Sequence, residues 1–157
     1  MAESPLEIHV IADSTGETAV RLARAARSQF EGAHWHIVRH PMIGTVPDMG
    51  SALEAVSEAH EAGQWVCVVH TLVLPDMRRM VSDACEEMGI RELDLMGPML
   101  EAMEEASGLD ADAVPRRPVG VEADYFTRIS AMEFAVRNDD GAIPDRLTEA
   151  DVCLVGV

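Results

Sequence analysis

The sequence contains no lysine: all 12 basic residues among its 157 are arginines. Such a chain offers no lysine nucleophile, no Schiff-base lysine and no phosphate-loop lysine. Cysteine is scarce too. The chain has only three, and an odd number in apolar surroundings favours reduced, buried thiols of a cytoplasmic protein over a disulfide framework. The sequence therefore excludes lysine-dependent chemistry and argues against a disulfide-stapled fold.

Long apolar stretches are missing as well. No run approaches the roughly 20 apolar residues of a membrane-spanning helix, and the N-terminus lacks the basic and apolar regions of a signal peptide. The 28 acidic residues give a net charge of −16, which argues against nucleic-acid or anionic-membrane binding, because both require a basic surface. Apolar residues still make up 48% of the chain, enough for the core of one globular domain.

Short apolar runs alternate with amphipathic segments along the chain. The runs predict strands at 6–12, 34–38, 65–69, 93–96 and 151–157. The amphipathic segments predict helices at 17–30, 51–62, 75–88, from 98 onward and at 122–137, with a loop over 108–121. This order predicts an α/β fold: three-layer and Rossmann-like, with a largely parallel sheet and helices on both faces. Ligands bind such sheets at the carboxyl ends of the strands.

Helical spacing also predicts which side chains face the core. In the first helix these are Ala19, Ala23, Ala26 and Phe30. The methionines of the two later helices are predicted to be core rather than a binding surface, together with Leu100 and Ala106: Met77, Met80, Met88, Met99 and Met103. Gly89 is predicted to end its helix in a left-handed conformation.

The end of the chain is unusual for a domain. The last predicted strand runs into Gly156, and the sequence stops at Val157. We interpret residues 1–150 as an N-terminal α/β domain and residues 151–157 as the beginning of a truncated second domain.

The segment 13–19 joins the first predicted strand to the first helix. Ser14 and Glu17 have the spacing of a capping box, and spacing alone favours that structural role. The functional alternative is an anion site suited to phosphate, formed by hydroxyl groups and free N–H groups at the helix start. Asp13, at the end of a strand, is a candidate for binding a metal or orienting a proton.

Other chemical groupings are weaker. The six histidines do not have the spacing of a zinc site, and Cys67 beside His70 fits core packing better than a nucleophile with its base. Arg128 precedes the acidic pair Asp139 and Asp140, which would suit a phosphate contact and Mg²⁺, although spacing alone favours an ordinary helix surface.

Six stretches resemble, in order, those of one family over nearly the whole chain. They lie at 13–19, 70–78, 93–100, 125–136, 139–141 and 150–157. The family is that of the bifunctional regulatory proteins of pyruvate, phosphate dikinase and of phosphoenolpyruvate synthase. The forms Asp-Ser-Thr-Gly-Glu-Thr and Asp-Leu-Met-Gly-Pro are more similar to the dikinase branch.

The resemblance implies an enzyme that uses ADP to phosphorylate a threonine of pyruvate, phosphate dikinase, and that uses inorganic phosphate to remove the group as pyrophosphate. Its implied catalytic residues are Asp13, Arg128, Asp139 and Asp140. Phosphate or anion contacts are implied for Ser14, Thr15, Gly16 and Thr18. Gly156 and Val157 are implied nucleotide contacts, since they begin the family's Gly-Val-Ser-Arg-Thr-Ser-Lys-Thr loop, whose remaining residues are absent here.

Two alternatives stay open. One is a stand-alone phosphate-binding or receiver-like regulatory domain without catalysis, and the other is the same chemistry on phosphoenolpyruvate synthase. Because the loop lysine and hydroxyl groups are missing, we expect the chain alone to be inactive. A homodimer is a candidate assembly.

Overall fold

The computed structural model describes residues 6–30, 32, 34–117, 131, 132 and 134. Contacts divide the chain into two compact units, Met1–Arg117 and Pro118–Val157. The described residues of the first unit form four strands: β1 (Leu6–Ala12), β2 (Trp35–His40), β3 (Trp65–Thr71) and β4 (Arg91–Asp94). The same residues form four helices: α1 (Glu17–Arg27), α2 (Val46–Glu61), α3 (Pro75–Met88) and α4 (Gly97–Ser107).

The strands form one parallel sheet in the order β2-β1-β3-β4. Side chains alternate between its two faces, as the pleat of a strand requires. Ile8 and Val10 of β1 pack with α1, whereas Ile11 belongs to the cluster built with α2 and α3. The prediction of an α/β, Rossmann-like sheet with helices on both faces is confirmed.

Each helix begins and ends at a recognisable local signal. Pro75 and Pro98 lie in the first turns of α3 and α4, where proline's missing N–H is not needed. Gly89 follows α3 with a φ of 67°, so the predicted left-handed end is confirmed. In α2, Thr45 and Asp48 form a capping box in which each accepts the other's backbone N–H.

Two predictions of helix burial are wrong. The helix α1 ends at Arg27, so only Ala19, Val20 and Ala23 are buried, while Ala26 and Phe30 are exposed. In α4, Gly97 is the one buried residue, so the side chains predicted to face the core do not do so. Met99 and Met103 are 60% and 61% exposed. Ala106 is exposed as well, and Leu100 is only partly buried. The helix α4 follows an edge strand and has no further described strand to cross toward.

The predictions for the α3 methionines and for two of the cysteines are confirmed, whereas those for the end of the chain fall on residues that are mostly not described. The methionines of α3 pack against the core as predicted: Met77, Met80 and Met88. Cys67 and Cys85 are buried free thiols, as expected. Residues 108–117 form no helix or strand. The predicted boundary after residue 150 and the strand at 151–157 lie outside the described residues, and of the helix at 122–137 only 131, 132 and 134 are described, all helical.

Within the described part of the chain, no helix is long and apolar enough to cross a membrane.

Candidate phosphate site at the carboxyl edge of the sheet

A crevice lies between the carboxyl ends of β1 and β3, where the order of the strands along the chain reverses across the sheet. From β1 the chain moves to one side to form β2, and it then returns to the other side to form β3. Crevices of this kind are the usual ligand sites of open α/β sheets. The loop Asp13–Gly16 follows β1 directly and therefore lies at this carboxyl edge of the sheet.

Asp13 connects the two sides of this crevice. Its residue is only 7% exposed, and its Oδ2 accepts a hydrogen bond of 2.9 Å from the backbone N–H of Val73, just beyond β3. This bond provides a partner both for the buried carboxylate and for the backbone N–H of Val73. Asp13 thereby fixes the loop after β1 against the loop after β3.

Gly16 shapes the turn into α1. It is the N-cap residue, with a φ of 71° that side-chain-bearing residues rarely adopt. A Cβ atom here would lie 3.2 Å from the Cβ of Ala12 and 3.3 Å from a methyl group of Val10. The predicted capping box of Ser14 and Glu17 is wrong, because no side chain caps α1. Gly16 rather than Ser14 occupies the capping position, two residues later than that spacing requires.

The hydroxyl-bearing residues of the segment are solvent-facing. Ser14, Thr15 and Thr18 are all exposed, whereas Gly16 between them is buried. Because no side chain caps this helix, its first turn depends on other partners for its backbone N–H groups. Exposed hydroxyl groups at a helix N-terminus are chemically suited to an anion.

Two arginines that the sequence analysis did not single out flank this loop. Arg39, from the end of β2, donates to the carbonyl oxygen of Thr15 over 2.7 Å and lies 3.5 Å from the carboxylate of Glu17. Arg116 donates through Nε to the carbonyl of Asp13 over 2.9 Å and through Nη2 to that of Met42 over 3.0 Å. Arg116 lies in the segment predicted as a loop, where no periodicity signals a partner.

The loop after β2 is joined to the same place. Met42 donates its backbone N–H to the carbonyl of Ser14 over 2.8 Å, and Ile43 donates to that of Ala12 over 2.9 Å. Met42 has a φ of 63°, a left-handed conformation that is uncommon for a residue with a side chain. Three loops therefore hold the Asp13–Gly16 turn.

A second polar cluster lies beside it, between β3, β4 and α3. His70 is fully buried and donates through Nε2 to Glu92 over 2.6 Å, while its Nδ1 lies 3.7 Å from a carboxylate oxygen of Asp94. Arg78 lies 3.6 Å from the other oxygen of Asp94. This cluster joins the family-like stretches 70–78 and 93–100, and we name it the His70 cluster.

Asp94 also begins the last helix. Its Oδ1 accepts the backbone N–H groups of Met96 and Gly97 over 2.9 and 2.8 Å, which satisfies donors at the start of α4. A Cβ atom at position 97 would overlap the side chains of both Arg78 and Asp94. The glycine of the Gly-Pro pair is therefore required by this close approach.

Cavity size alone would point elsewhere. A cavity of about 670 Å³ lies at the opposite, amino-terminal edge, lined by Gln64, Trp65 and Arg91 among others. A smaller one of about 400 Å³ lies against the His70 cluster, with Arg78, Glu92 and Asp94 in its lining. We locate the candidate site from the convergent polar groups, because the larger cavity lies away from the carboxyl edge where parallel sheets bind ligands.

The two described thiols are buried, which disfavours the nucleophilic thiolate form. Burial raises the pKa of Cys67, and burial together with Glu92 raises the pKa of Cys85 to about 11. Cys67 packs on the α1 face of the sheet, and His70 points to the other face. The core interpretation of Cys67 is therefore confirmed.

Several predicted site residues cannot be placed. Arg128, Asp139, Asp140, Gly156 and Val157 lie outside the described residues. Within the described ranges, no three His, Cys, Asp or Glu side chains are arranged to hold a metal ion.

Comparison with known proteins gives a consistent result. The model of a family described as Kinase/pyrophosphorylase matches residues 8–157. A protein of Cutibacterium acnes is 98% identical over all 157 residues, which are 53% of its own length. Proteins of Bacillus velezensis and Bacillus subtilis are 40% and 39% identical over 96% of this chain and 54% of theirs. All three carry the name pyruvate, phosphate dikinase regulatory protein, and the chain spans about half of their length.

Proposed function

Because the chain belongs to the kinase/pyrophosphorylase family, we propose that it forms the N-terminal part of an enzyme that regulates pyruvate, phosphate dikinase. The enzyme would phosphorylate a threonine of the dikinase with ADP, and would remove that phosphate with inorganic phosphate, releasing pyrophosphate. The names of the relatives support the target, and the family description supports the paired activities. The reduced, buried Cys67 and Cys85 support a cytoplasmic location.

We assign inorganic phosphate, or the phosphoryl group in transfer, to the Asp13–Gly16 loop. The observation that carries this assignment is the loop's position at the crossover of β1 and β3, with exposed hydroxyl groups at the start of α1. Ser14, Thr15 and Thr18 would donate to the anion, and Gly16 would allow its close approach. Asp13 would orient the loop through Val73.

The remaining roles belong to residues beyond the described ranges. Arg128 would contact the transferring phosphoryl group, and Asp139 with Asp140 would hold Mg²⁺, whose charge neutralises phosphate oxygens. Gly156 and Val157 would contact ADP. The family's phosphate-loop lysine is absent from this sequence, so we expect the 157-residue chain alone to transfer no phosphate.

We also propose a homodimer. The apolar stripe of α4, formed by Met99 and Met103, is more than half exposed and supports an association surface.

A kinetic experiment on the full-length Cutibacterium acnes relative tests the phosphate assignment. Changing the residues equivalent to Ser14 and Thr15 to alanine removes two donors to a charged group, each worth about 1.5–3 kcal/mol. We expect KM for inorganic phosphate in the dephosphorylation reaction to rise at least about tenfold. Ser51→Ala, at an exposed serine of α2, is the matched control and should leave KM unchanged.

The possible outcomes test the phosphate site and the proposed reaction independently. An unchanged KM in the double variant would remove phosphate from this loop while leaving the reaction standing. If the unaltered full-length protein modified phosphoenolpyruvate synthase but not the dikinase, the target would be wrong. If it modified neither, a regulatory domain without catalysis would be the better assignment.

A further inference from the structure

A chain of polar side chains crosses the sheet face that α2 covers. His9 is 1% exposed, and its Nε2 lies 3.1 Å from Glu7 Oε2, while its Nδ1 lies 3.0 Å from Nε2 of His40 on β2. The two imidazole rings are stacked, with centroids 5.2 Å apart. His36 contacts the other oxygen of Glu7 over 3.3 Å. The sequence analysis did not identify His9, because a histidine in an apolar strand has no spacing signal.

These contacts determine which ring nitrogens of His9 and His40 carry a proton. A carboxylate only accepts, so His9 must carry a proton on Nε2 to bond Glu7. In the neutral ring, Nδ1 of His9 is then an acceptor, and Nε2 of His40 must donate to it. With both imidazoles neutral, each contact from His40 through His9 to Glu7 therefore joins a donor to an acceptor.

Few other charges face the pair. On β1 and β2 the ionisable neighbours are Glu7 and His36. The strand β3 presents Val66 and Val68 to this face, and its His70 bonds Glu92 instead. The helix α2 presents apolar side chains, and its charged residues are exposed: Asp48, Glu54, Glu58, His60 and Glu61. Among the described side chains, Glu7 is thus the carboxylate in contact with the pair, and it contacts His9 and the neighbouring His36.

Adding protons breaks this arrangement. With both rings protonated, two N–H groups would face each other across 3.0 Å and two like charges would lie in contact. Burial lowers the pKa of His9 despite its bond to Glu7, and burial with the charge of His9 lowers the pKa of His40. The unfolded chain, with histidine pKa values of about 6.5, therefore takes up protons that the folded chain resists. The stabilisation is present above about pH 6.5 and decreases as the pH falls toward the lowered pKa values.

The pair lies directly before the loop that holds the candidate site. His40 ends β2, and two residues later Met42 donates to the carbonyl of Ser14. Arg116 bonds the carbonyls of both Met42 and Asp13. A displacement of the end of β2 would therefore reach the Asp13–Gly16 turn through these bonds.

We propose that His9 and His40 form a pH-sensitive clasp between β1 and β2. Protonation of both rings separates the carboxyl end of β2 from β1 and releases the backbone bonds of Met42 and Ile43. Acid thereby loosens the Asp13–Gly16 turn before the whole unit unfolds. The clasp does not depend on the proposed function, because its readout is backbone hydrogen bonding.

Amide hydrogen exchange between pH 7.5 and pH 5 tests the clasp in the 157-residue chain. Protection is expressed relative to the intrinsic rate at each pH, so the chemistry of exchange itself cancels. We expect protection at Met42 and Ile43 to fall at least about tenfold at acid pH, while Val68 in the central strand β3 stays protected. Loss at all three amides together would mean global unfolding and would overturn the proposal.

Two variants isolate the responsible ring. In His40→Gln the amide can still donate to His9 but cannot be protonated, so protection at Met42 should change less than about twofold across the range. His36→Gln, at an exposed histidine on the same carboxylate, should behave like the unaltered chain. Imidazole ¹⁵N shifts of the unaltered chain give an independent measurement. Two fully protonated rings with Met42 still protected would contradict the clasp, as would an acid response retained in His40→Gln.

Discussion

The helices α3 and α4 have the same sequence design and opposite surroundings. Each has proline in its first turn, a stripe of methionines, and a glycine in a left-handed conformation just past its end, with φ of 67° and 69°. In α3 the methionines are partly buried and pack against the core, beside the fully buried Val81. In α4 the stripe faces outward, and Gly97 alone is buried among its residues.

The difference shows what an amphipathic pattern specifies. Proline, glycine and helical periodicity determine that a helix forms and where it ends. Burial depends on the strands that the helix connects. The helix α3 joins the neighbouring strands β3 and β4 and must cross the sheet face between them. The helix α4 follows the edge strand β4, and no described strand comes after it, so it does not have to cross the sheet face.

The largest expected effect is in α3. Val81→Ala removes two methyl groups from a fully buried position and leaves a small cavity, so it should lower the free energy of unfolding by about 2 kcal/mol. Met103→Ala in α4, at 61% exposure, is the matched control and should cost less than about 0.5 kcal/mol. Urea unfolding followed by tryptophan fluorescence measures both, since both tryptophans of the chain, Trp35 and Trp65, lie in this sheet. Equal losses would mean that α4 is as buried as α3.

An intermediate effect is expected from the two terminal glycines. Alanine is strained in the left-handed conformation by about 1 kcal/mol, whichever helix it ends. After α3 the strain should appear in full, because Ile90 beyond Gly89 is buried and donates to the carbonyl of Cys85 over 2.8 Å. After α4 the last turn can fray without disturbing the core, so Gly108→Ala should change global stability by less than about 0.5 kcal/mol. The same unfolding experiment compares them, and a larger loss at Gly108 would reverse the interpretation.

The same distinction explains how much the sequence could predict. The strands, the helices, the parallel sheet and the edge on which Asp13–Gly16 lies follow from local patterns and chain direction. The contacts that build the site do not. Arg116 bonds the carbonyl of Asp13 across 103 residues of sequence, and His9 meets His40 across 31. No local sequence pattern identifies Arg116 or His9, because both contacts depend on how segments distant in the sequence pack together.

The predicted capping box failed for a related reason. The spacing of Ser14 and Glu17 is correct for a cap, but the helix begins after Gly16, whose left-handed backbone completes the turn. The true box, Thr45 with Asp48, belongs to α2, whose N-cap residue has an extended backbone. Spacing identifies candidates for a cap, and the backbone conformation of the N-cap residue decides between them.

The smallest expected change in stability is the most informative about α4. Met99→Ser with Met103→Ser replaces two side chains that are 60% and 61% exposed, so the unfolding free energy of the monomeric unit should change by less than about 0.5 kcal/mol. If this stripe forms the proposed homodimer, the double variant should nevertheless weaken association at least about tenfold, because apolar area no longer becomes buried. Sedimentation velocity of the full-length Cutibacterium acnes relative, with the equivalent changes, measures the association. Glu105→Gln, at an exposed position of the same helix, is the control and should leave association intact. A dimer of unchanged affinity in the double variant would show that the methionine stripe is not the association surface.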